Sequence, residues 1–325
     1  TAFALLVAVF ALKAALLPLS FWFPHAYAAN SAAVAALFAI MTKVGVYAII
    51  RLSFLVFGAE AGGSAGFGAQ LVIAGGMATV AFGFLGVLAS QGLGRMAAYL
   101  VLVSSGTVLA AAGFVLDGGS AQILAAALFY LLSSTLAVSA LFLLIEPMSR
   151  EEGGIAALLA LTADAYGLDE TEEIRQPEVG VAIPGTLAVL GLSFGACVLV
   201  LAGLPPLSGF IGKVGILQGL LAGGSEMPGL SWVFVVLLIL SGFATLVGLV
   251  RVGIQTFWAT EGVPQVMALE LAPVIALVGM LALLTLKADV TLRYMRDTAE
   301  SVLTPSVYVQ GVLGAPRAAD EEPEE

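Results

Sequence analysis

The chain has 325 residues, of which 60% are hydrophobic and 10% are charged, and its formal net charge at pH 7 is −10. Soluble domains carry about a quarter charged residues, so this composition excludes an ordinary soluble enzyme, a nucleic-acid-binding protein and a disordered regulator. Apolar runs of about 20 residues, the length of a membrane-spanning helix, recur along nearly the whole chain and predict an all-α polytopic membrane protein.

Apolar runs bounded by Gly, Pro or charged residues predict nine spans in chain order. The predicted spans lie near 1–17, 31–57, 69–89, 96–116, 121–146, 182–203, 210–223, 230–258 and 268–287. These spans and the segments between them define four regions. The regions are membrane helices over 1–146 with the first interrupted near 18–24, an acidic solvent loop over 147–180, membrane helices over 181–287 with a break near 204–209, and an amphipathic then acidic tail over 288–325.

Two proline-containing segments break the apolar pattern. The segment LPLSFWFPHAY contains Pro18 and Pro24, and the segment LAGLPPLSGFIG contains Pro205 and Pro206. Because proline removes a backbone donor and disfavours helix in the residue before it, each segment predicts a broken membrane helix. Both segments carry Leu, Pro, Leu and Ser in order and lie near a lysine, which is typical of a transporter built from structural repeats with its site at the breaks.

Three of the four lysines, Lys13, Lys43 and Lys213, lie within or beside apolar spans, where a mid-membrane lysine costs ~2.5 to 3.5 kcal/mol. Such a side chain can snorkel to an interface, or it can serve in a proton relay, because a buried lysine can lose its proton and an arginine cannot. Lys13 and Lys43 are about twelve and thirteen residues into their runs, so either interface is roughly 15 Å or more away, which favours the relay. No acid lies inside these spans, so we expect counter-charges from other helices or subunits, water, or loss of the proton.

Three further residues are candidates for proton access. His25 follows Pro24, and it is either a hydrogen-bonded interfacial histidine or a link between Lys13 and an aqueous surface. Thr135 and Ser139 lie in FYLLSSTLAVSALFLL; such hydroxyls either bond to their own or a neighbouring helix, or line a hydrated path. The single cysteine and single histidine form no metal or disulfide pattern, so we expect no metal and no cofactor.

The chain begins TAFALLVAVFALK, without an initiator Met, a basic region or a cleavage site, and this is not the pattern of a signal peptide. We therefore expect the chain to be the C-terminal part of a longer protein, with further helices upstream.

The stretch KAALLPLSFWFPHAYAANSAAVAALFAIMTKVGVYAIIR, together with LPPLSGFIGK, resembles the D subunits of the Mrp-type (Pha-type) multisubunit monovalent cation/proton antiporters. These subunits are similar to the proton-pumping membrane subunits of respiratory complex I. The resemblance runs from Ala2 through RYMRDTAESVLTPSVYV and so covers nearly all of the chain.

The resemblance implies the C-terminal part of a fourteen-helix fold with inverted repeats, in which helices seven and twelve are broken. On that frame Lys13, Lys43 and Lys213 match the lysines of helices seven, eight and twelve, and the helix-five glutamate that partners Lys13 would lie upstream. The chain departs from related sequences in two places. Gly94 and Arg95 stand at a connection where relatives often carry Lys-Arg, and Thr135 and Ser139 stand where relatives have a His/Lys pattern, so the path between the second and third lysines would depend on hydroxyls and water.

The leading hypothesis is a transporter component, not an enzyme, of a multisubunit Na⁺ or K⁺/H⁺ antiporter in the bacterial cell (inner) membrane. Its partners would be the lipid bilayer, H⁺, Na⁺ or K⁺ and the other membrane subunits, and no nucleic acid. The alternative is a proton-pumping membrane subunit of an NADH-quinone oxidoreductase or hydrogenase-type complex, and a third possibility is a purely structural membrane subunit. No cage of carboxylates or carbonyls is recognisable, so the sequence leaves Na⁺ and K⁺ both open.

Overall fold

The computed structural model describes residues 2–149, 185–222, 229–258 and 268–314, and within them all regular secondary structure is helical. The predicted all-α fold is therefore confirmed. Nearly all of the predicted acidic loop and the acidic end of the tail lie outside the described residues.

Twelve α-helices and one short 3₁₀ segment, Ala59–Ser64, make up the described chain. The helices are α1 (Ala2–Lys13), α2 (Phe23–Ala28), α3 (Ala32–Phe57), α4 (Ala69–Ala89), α5 (Leu93–Leu116), α6 (Ala121–Ser149), α7 (Gly185–Ala202), α8 (Ser208–Leu221), α9 (Gly229–Trp258), α10 (Ala268–Leu286), α11 (Ala288–Leu303) and α12 (Pro305–Leu313). Helices α3, α4, α5, α6 and α9 are each long and apolar enough to cross a membrane, and α10 meets α11 at an 82° bend. The shorter apolar helices α7 and α8 flank the second break.

Helices α5 and α6 form the centre of the bundle. Almost the whole of α5 is buried, and α6 contacts α3, α5, α7, α8, α10 and α11. Both broken segments therefore contact the centre of the bundle, since α2 packs on α5 and α8 packs on α6.

The described part of the tail folds back onto one end of the bundle. Ala299 and Val302 of α11 are buried in the same apolar cluster as residues of α5, α6 and α8. The Arg51 guanidinium of α3 lies 4.2 Å from the Tyr308 ring centroid of α12. The Ser306 hydroxyl of α12 donates to the Glu60 carboxylate at 3.1 Å. Apolar contacts of α11 and polar contacts of α12 therefore hold the tail helices against the bundle.

Helices α4 and α5 approach one another through their backbones. A Cβ added at Gly76 of α4 would lie 2.5 Å from the Ala110 nitrogen and 2.8 Å from the Gly106 carbonyl oxygen of α5. Small residues that let two backbones approach closely are a common means of packing helices in membranes, where no hydrophobic effect holds helices together.

We expect the substitution Gly76→Ala to lower the free energy of unfolding by about 1 to 3 kcal/mol, because the new methyl group would overlap backbone atoms that cannot move alone. Gly75→Ala is the matched control, since the atoms nearest to its Cβ would belong to the Leu16 side chain, the first of them at 3.3 Å, and not to the backbone of α5. Thermal unfolding in detergent measures both variants, and equal transition temperatures would contradict this account of the packing.

Candidate functional site

The first break begins directly after Lys13, earlier than the prolines alone predict. Ala15 adopts a left-handed backbone conformation with φ 53°, and the Leu16 amide donates to the Ala11 carbonyl at 2.9 Å, which ends α1 as helices commonly end. The freed amide of Leu17 then donates to the Thr79 hydroxyl of α4 at 2.9 Å. The broken backbone is thus satisfied by a neighbouring helix.

The second break repeats this construction. Gly203 has φ 77°, a conformation that glycine adopts without a steric penalty, and the Leu204 amide donates to the Leu199 carbonyl at 2.9 Å. The Ser208 amide donates to the Thr285 hydroxyl of α10 at 3.0 Å. Each break therefore begins at a left-handed residue and has one amide bound by a threonine of another helix.

Lys43 of α3 is buried, with 6% of its surface exposed. Its ammonium group donates to the hydroxyl groups of Ser104 and Ser105 on α5, the latter at 3.0 Å, and lies 3.5 Å from the Val101 carbonyl oxygen. The hydroxyl pair of α5 thus replaces the water that a charged lysine requires.

Lys213 of α8 is equally buried, with 6% of its surface exposed. Its ammonium group donates to the carbonyl oxygens of Leu201 at 3.2 Å and Ala202 at 3.0 Å, the last two residues of α7. Carbonyl groups at a helix C-terminus have no partner inside the helix and carry the negative end of its dipole, so they favour a cation.

An open cavity of about 310 Å³ adjoins Lys213 between α8 and α9. Apart from the lysine and the break residues it is lined mainly by apolar side chains, including Phe210 and Phe243. A Cβ added at Gly242 of α9 would lie 2.6 Å from the Ala202 oxygen and 3.3 Å from the Lys213 Nζ. Because Gly242 has no side chain, there is room for the hydrogen bond from the Lys213 ammonium to the Ala202 carbonyl oxygen.

The two buried lysines share one electrostatic property: within the described ranges their hydrogen-bond partners are neutral. A carboxylate partner would favour the charged form strongly and hold the proton. Hydroxyl and carbonyl partners stabilise the charge more weakly, so this arrangement is suited to groups that both accept and release a proton.

Lys13 and His25 lie outside this buried site. Lys13 is the last residue of α1 and is exposed on the surface of the described chain, and His25 of α2 is also exposed. The backbone after Lys13 nevertheless packs on α3, because a Cβ added at Gly45 would lie 2.8 Å from the Ala14 nitrogen. The first break thus approaches α3 two residues beyond Lys43.

Thr135 and Ser139 are buried in α6 and bind backbone carbonyls. The Thr135 hydroxyl donates to the Leu131 carbonyl of its own helix at 2.5 Å, and the Ser139 hydroxyl donates to the Ala36 carbonyl of α3 at 3.3 Å. Neither contacts a lysine.

Two serine hydroxyls bind a buried lysine, and a further serine pair and a tyrosine ring lie at the contact of α6 with α8; the sequence indicates these groups less directly. Ser104 and Ser105 bind Lys43, the Ser133 and Ser208 hydroxyls bind one another at 2.7 Å, and the Tyr130 ring centroid lies 5.8 Å from the Lys213 Nζ. The serine pairs are visible in the apolar spans, but only the packing of α3, α5, α6 and α8 shows which of them face a lysine.

The chain is similar over most of its length to membrane components of antiporter complexes. The family model described as "NADH:quinone oxidoreductase/Mrp antiporter, TM" matches residues 1–244. The chain is 52% identical to the D subunit of a probable K(+)/H(+) antiporter of Rhizobium meliloti, over 98% of the chain and 59% of that protein. It is 31% identical to the D subunit of the Na(+)/H(+) antiporter of Bacillus subtilis, over 95% of the chain and 57% of that protein. The chain thus spans a little more than half the length of these relatives.

Two solved structures share the fold. A chain of the Mrp complex from Dietzia superposes with a TM-score of 0.72 at 23% identity, over 96% of this chain and 61% of that one. A chain of respiratory complex I from Thermus thermophilus superposes with a TM-score of 0.67 at 21% identity, over 93% of this chain and 58% of that one.

Proposed function

The chain belongs to the NADH:quinone oxidoreductase/Mrp antiporter transmembrane family, and we propose that it is part of the D subunit of a multisubunit Na⁺ or K⁺/H⁺ antiporter. In this proposal it acts as a secondary transporter rather than an enzyme, in the bacterial cell (inner) membrane and together with other membrane subunits. The identity to the D subunits of two antiporters over nearly the whole chain supports this choice within the family.

The observation that carries the proposal is the burial of Lys43 and Lys213 among neutral partners beside a broken helix. A proton would move from Lys13 at the first break to Lys43 and then to Lys213 at the second break. At each step one ammonium becomes an amine and the next amine becomes an ammonium, so charge is conserved. Neighbouring cations in a low-dielectric interior repel one another, and protonation of one lysine therefore promotes release from the next.

Inward proton movement along this relay would drive export of the cation. His25, at the first break, is exposed and would exchange protons between Lys13 and water, whereas Thr135 and Ser139 would help to keep the route between α3 and α6 polar. The exported ion in this proposal is Na⁺ or K⁺.

The second candidate function is proton pumping in an NADH-quinone oxidoreductase or hydrogenase-type complex. It is favoured by the family model, which covers both kinds of complex, and by the shared fold with a complex I chain. In that case redox chemistry in another subunit would drive proton transfer through the same lysines.

Inverted membrane vesicles containing the complete complex distinguish these functions. With an imposed proton gradient, we expect added NaCl or KCl to dissipate the gradient in vesicles with the complex and not in vesicles without it. The purified complex should lack flavin and iron–sulfur absorbance. Proton uptake that requires NADH and is insensitive to both cations would instead establish the redox function.

A further inference from the structure

The cavity beside Lys213 opens on the apolar outer surface of the described bundle. Phe210 of α8 and Ile239 and Phe243 of α9 line the cavity, and 36%, 59% and 65% of their respective surfaces are exposed. Helix α9 is long and apolar enough to cross a membrane, so its exposed apolar side chains match the hydrocarbon of a bilayer. The cavity is therefore accessible to an apolar molecule from within the membrane.

The cavity lies near the middle of the membrane span. Gly242, which lines it, is the fourteenth of the 30 residues of α9 counted from Gly229, so about 20 Å of helix lies on either side at 1.5 Å per residue. Because the hydrocarbon core is ~30 Å thick, a phospholipid headgroup would have to leave its interface by roughly 15 Å to reach Lys213. A ligand of this cavity must therefore be able to enter the hydrocarbon completely.

The Lys213 ammonium group has one donor to spare at this cavity. It has three N–H donors, and two of them bind the carbonyl oxygens of Leu201 and Ala202. Among the residues that the structure describes, its remaining neighbour is the Tyr130 ring, whose centroid lies 5.8 Å from the Nζ. An anionic oxygen in the cavity would accept the third hydrogen bond and neutralise the buried charge.

We propose that this cavity binds one long-chain fatty acid, with its carboxylate on the Lys213 ammonium and its alkyl chain between α8 and α9. Apolar walls with a single charged group suit a ligand that has one ionic end and an apolar body. The volume of about 310 Å³ is at the small end for ligand cavities, which favours one alkyl chain over the two chains of a phospholipid.

A fatty acid can also reach this depth without carrying a charge through the hydrocarbon. It crosses as the neutral carboxylic acid, and its O–H proton moves to the Lys213 amine when that lysine is unprotonated. The products are a carboxylate and an ammonium, so the net charge of the pair does not change. Binding of this kind requires no transport, and the inference therefore goes beyond the proposed function.

The test uses a palmitic acid analogue with a photoactivatable diazirine on its chain, added to the complete complex in detergent. Mass spectrometry of peptides after illumination locates the label. We expect label on the α8 and α9 residues that line the cavity, and displacement of the analogue by palmitic acid. Hexadecanol has the same chain length without the carboxylate, and it should displace the analogue about tenfold less well or worse, because it forms no charged hydrogen bond.

Two tryptophan variants of α9 test the position of the ligand. Ile239→Trp places a larger side chain at the cavity wall without changing Lys213, and it should lower labelling by about tenfold or more. Ile254→Trp is the matched control, since Ile254 is also exposed on α9, at 53%, but does not line the cavity. Lys213→Ala should lower labelling by about tenfold or more, and if this variant fails to assemble, displacement by hexadecanol decides.

Equal labelling of the Ile239→Trp and Ile254→Trp complexes would overturn the inference, as would equal displacement by palmitic acid and hexadecanol. Absence of label from the cavity would mean that another subunit covers it and would also overturn the inference. Equal labelling by a phosphatidylglycerol analogue with the same diazirine chain would do so too, because it would identify a surrounding phospholipid. None of these results bears on the lysine relay, which exchange measurements on Lys43→Ala and Lys213→Ala test separately.

Discussion

Substitution of Lys43 by alanine is expected to lower cation-driven proton exchange by at least about 100-fold, because it removes a group that takes up and releases the proton. The fold should tolerate the change, with the free energy of unfolding altered by about 1 kcal/mol. Ser104 retains its hydrogen bond to the Val101 carbonyl at 3.0 Å, whereas Ser105 loses the hydrogen bond that it accepts from Lys43. Exchange in inverted vesicles and thermal unfolding of the purified complex measure the two effects.

Lys287→Ala is the control for this variant. Lys287 is also a lysine, but it is exposed at the bend between α10 and α11. We expect its removal to leave exchange unchanged, so that a loss in Lys43→Ala cannot come from the change of net charge. Equal exchange rates in the Lys43 and Lys287 variants would contradict a relay through Lys43 and would favour a purely structural role for the chain.

Substitution of Gly242 by alanine is expected to lower exchange by roughly 10- to 100-fold although it alters no titratable group, because small displacements of a reacting group have effects of this size. The new methyl group would lie 2.6 Å from the Ala202 carbonyl oxygen, a backbone atom, and 3.3 Å from the Lys213 Nζ. It would therefore separate the lysine from the helix end that stabilises its charge. The overlap should also lower the free energy of unfolding by about 1 to 3 kcal/mol.

Gly248→Ala on the same helix distinguishes the displacement of Lys213 from a general loss of stability of the fold. Its Cβ would meet the Val87 side chain at 2.8 Å, on the packing surface between α9 and α4. We expect a comparable loss of stability from this variant with little change in the exchange rate per assembled complex. If both glycine variants exchange at the same rate, Gly242 does not position Lys213.

The broken helices could be predicted from the sequence because proline has a local and nearly invariant effect on the backbone. The residue at which the first break begins could not be predicted in this way. Helix α1 ends where Ala15 takes a left-handed conformation, which alanine rarely adopts and which therefore leaves no signal in the sequence. At the second break the corresponding residue is Gly203, a common helix-ending residue, and the sequence boundary there is close to that of the structure.

The sequence singles out the two buried lysines of the candidate site, since charge inside an apolar run is rare and costly, but the same reasoning also selects Lys13, which is exposed. The partners of the buried lysines could not be identified from the sequence, because hydroxyl groups are common in membrane helices and most bind a nearby carbonyl, as Thr135 does. Whether a serine faces a lysine depends on the rotation of α5 against α3, a property of packing rather than of local sequence. The carbonyl groups of Leu201 and Ala202 leave no sequence signal, since every residue has one.

In the proposed relay Lys43 and Lys213 act in series on one proton route, and a double-substitution cycle of the two lysines tests this order. The measurement is cation-driven proton exchange by complete complexes that carry Lys43→Ala, Lys213→Ala or both. If the lysines act in series, each single variant should lose as much exchange as the double variant, because either gap interrupts the same route. Exchange at the unsubstituted rate in either single variant, or a double variant as low as the product of the two single losses, would contradict the account.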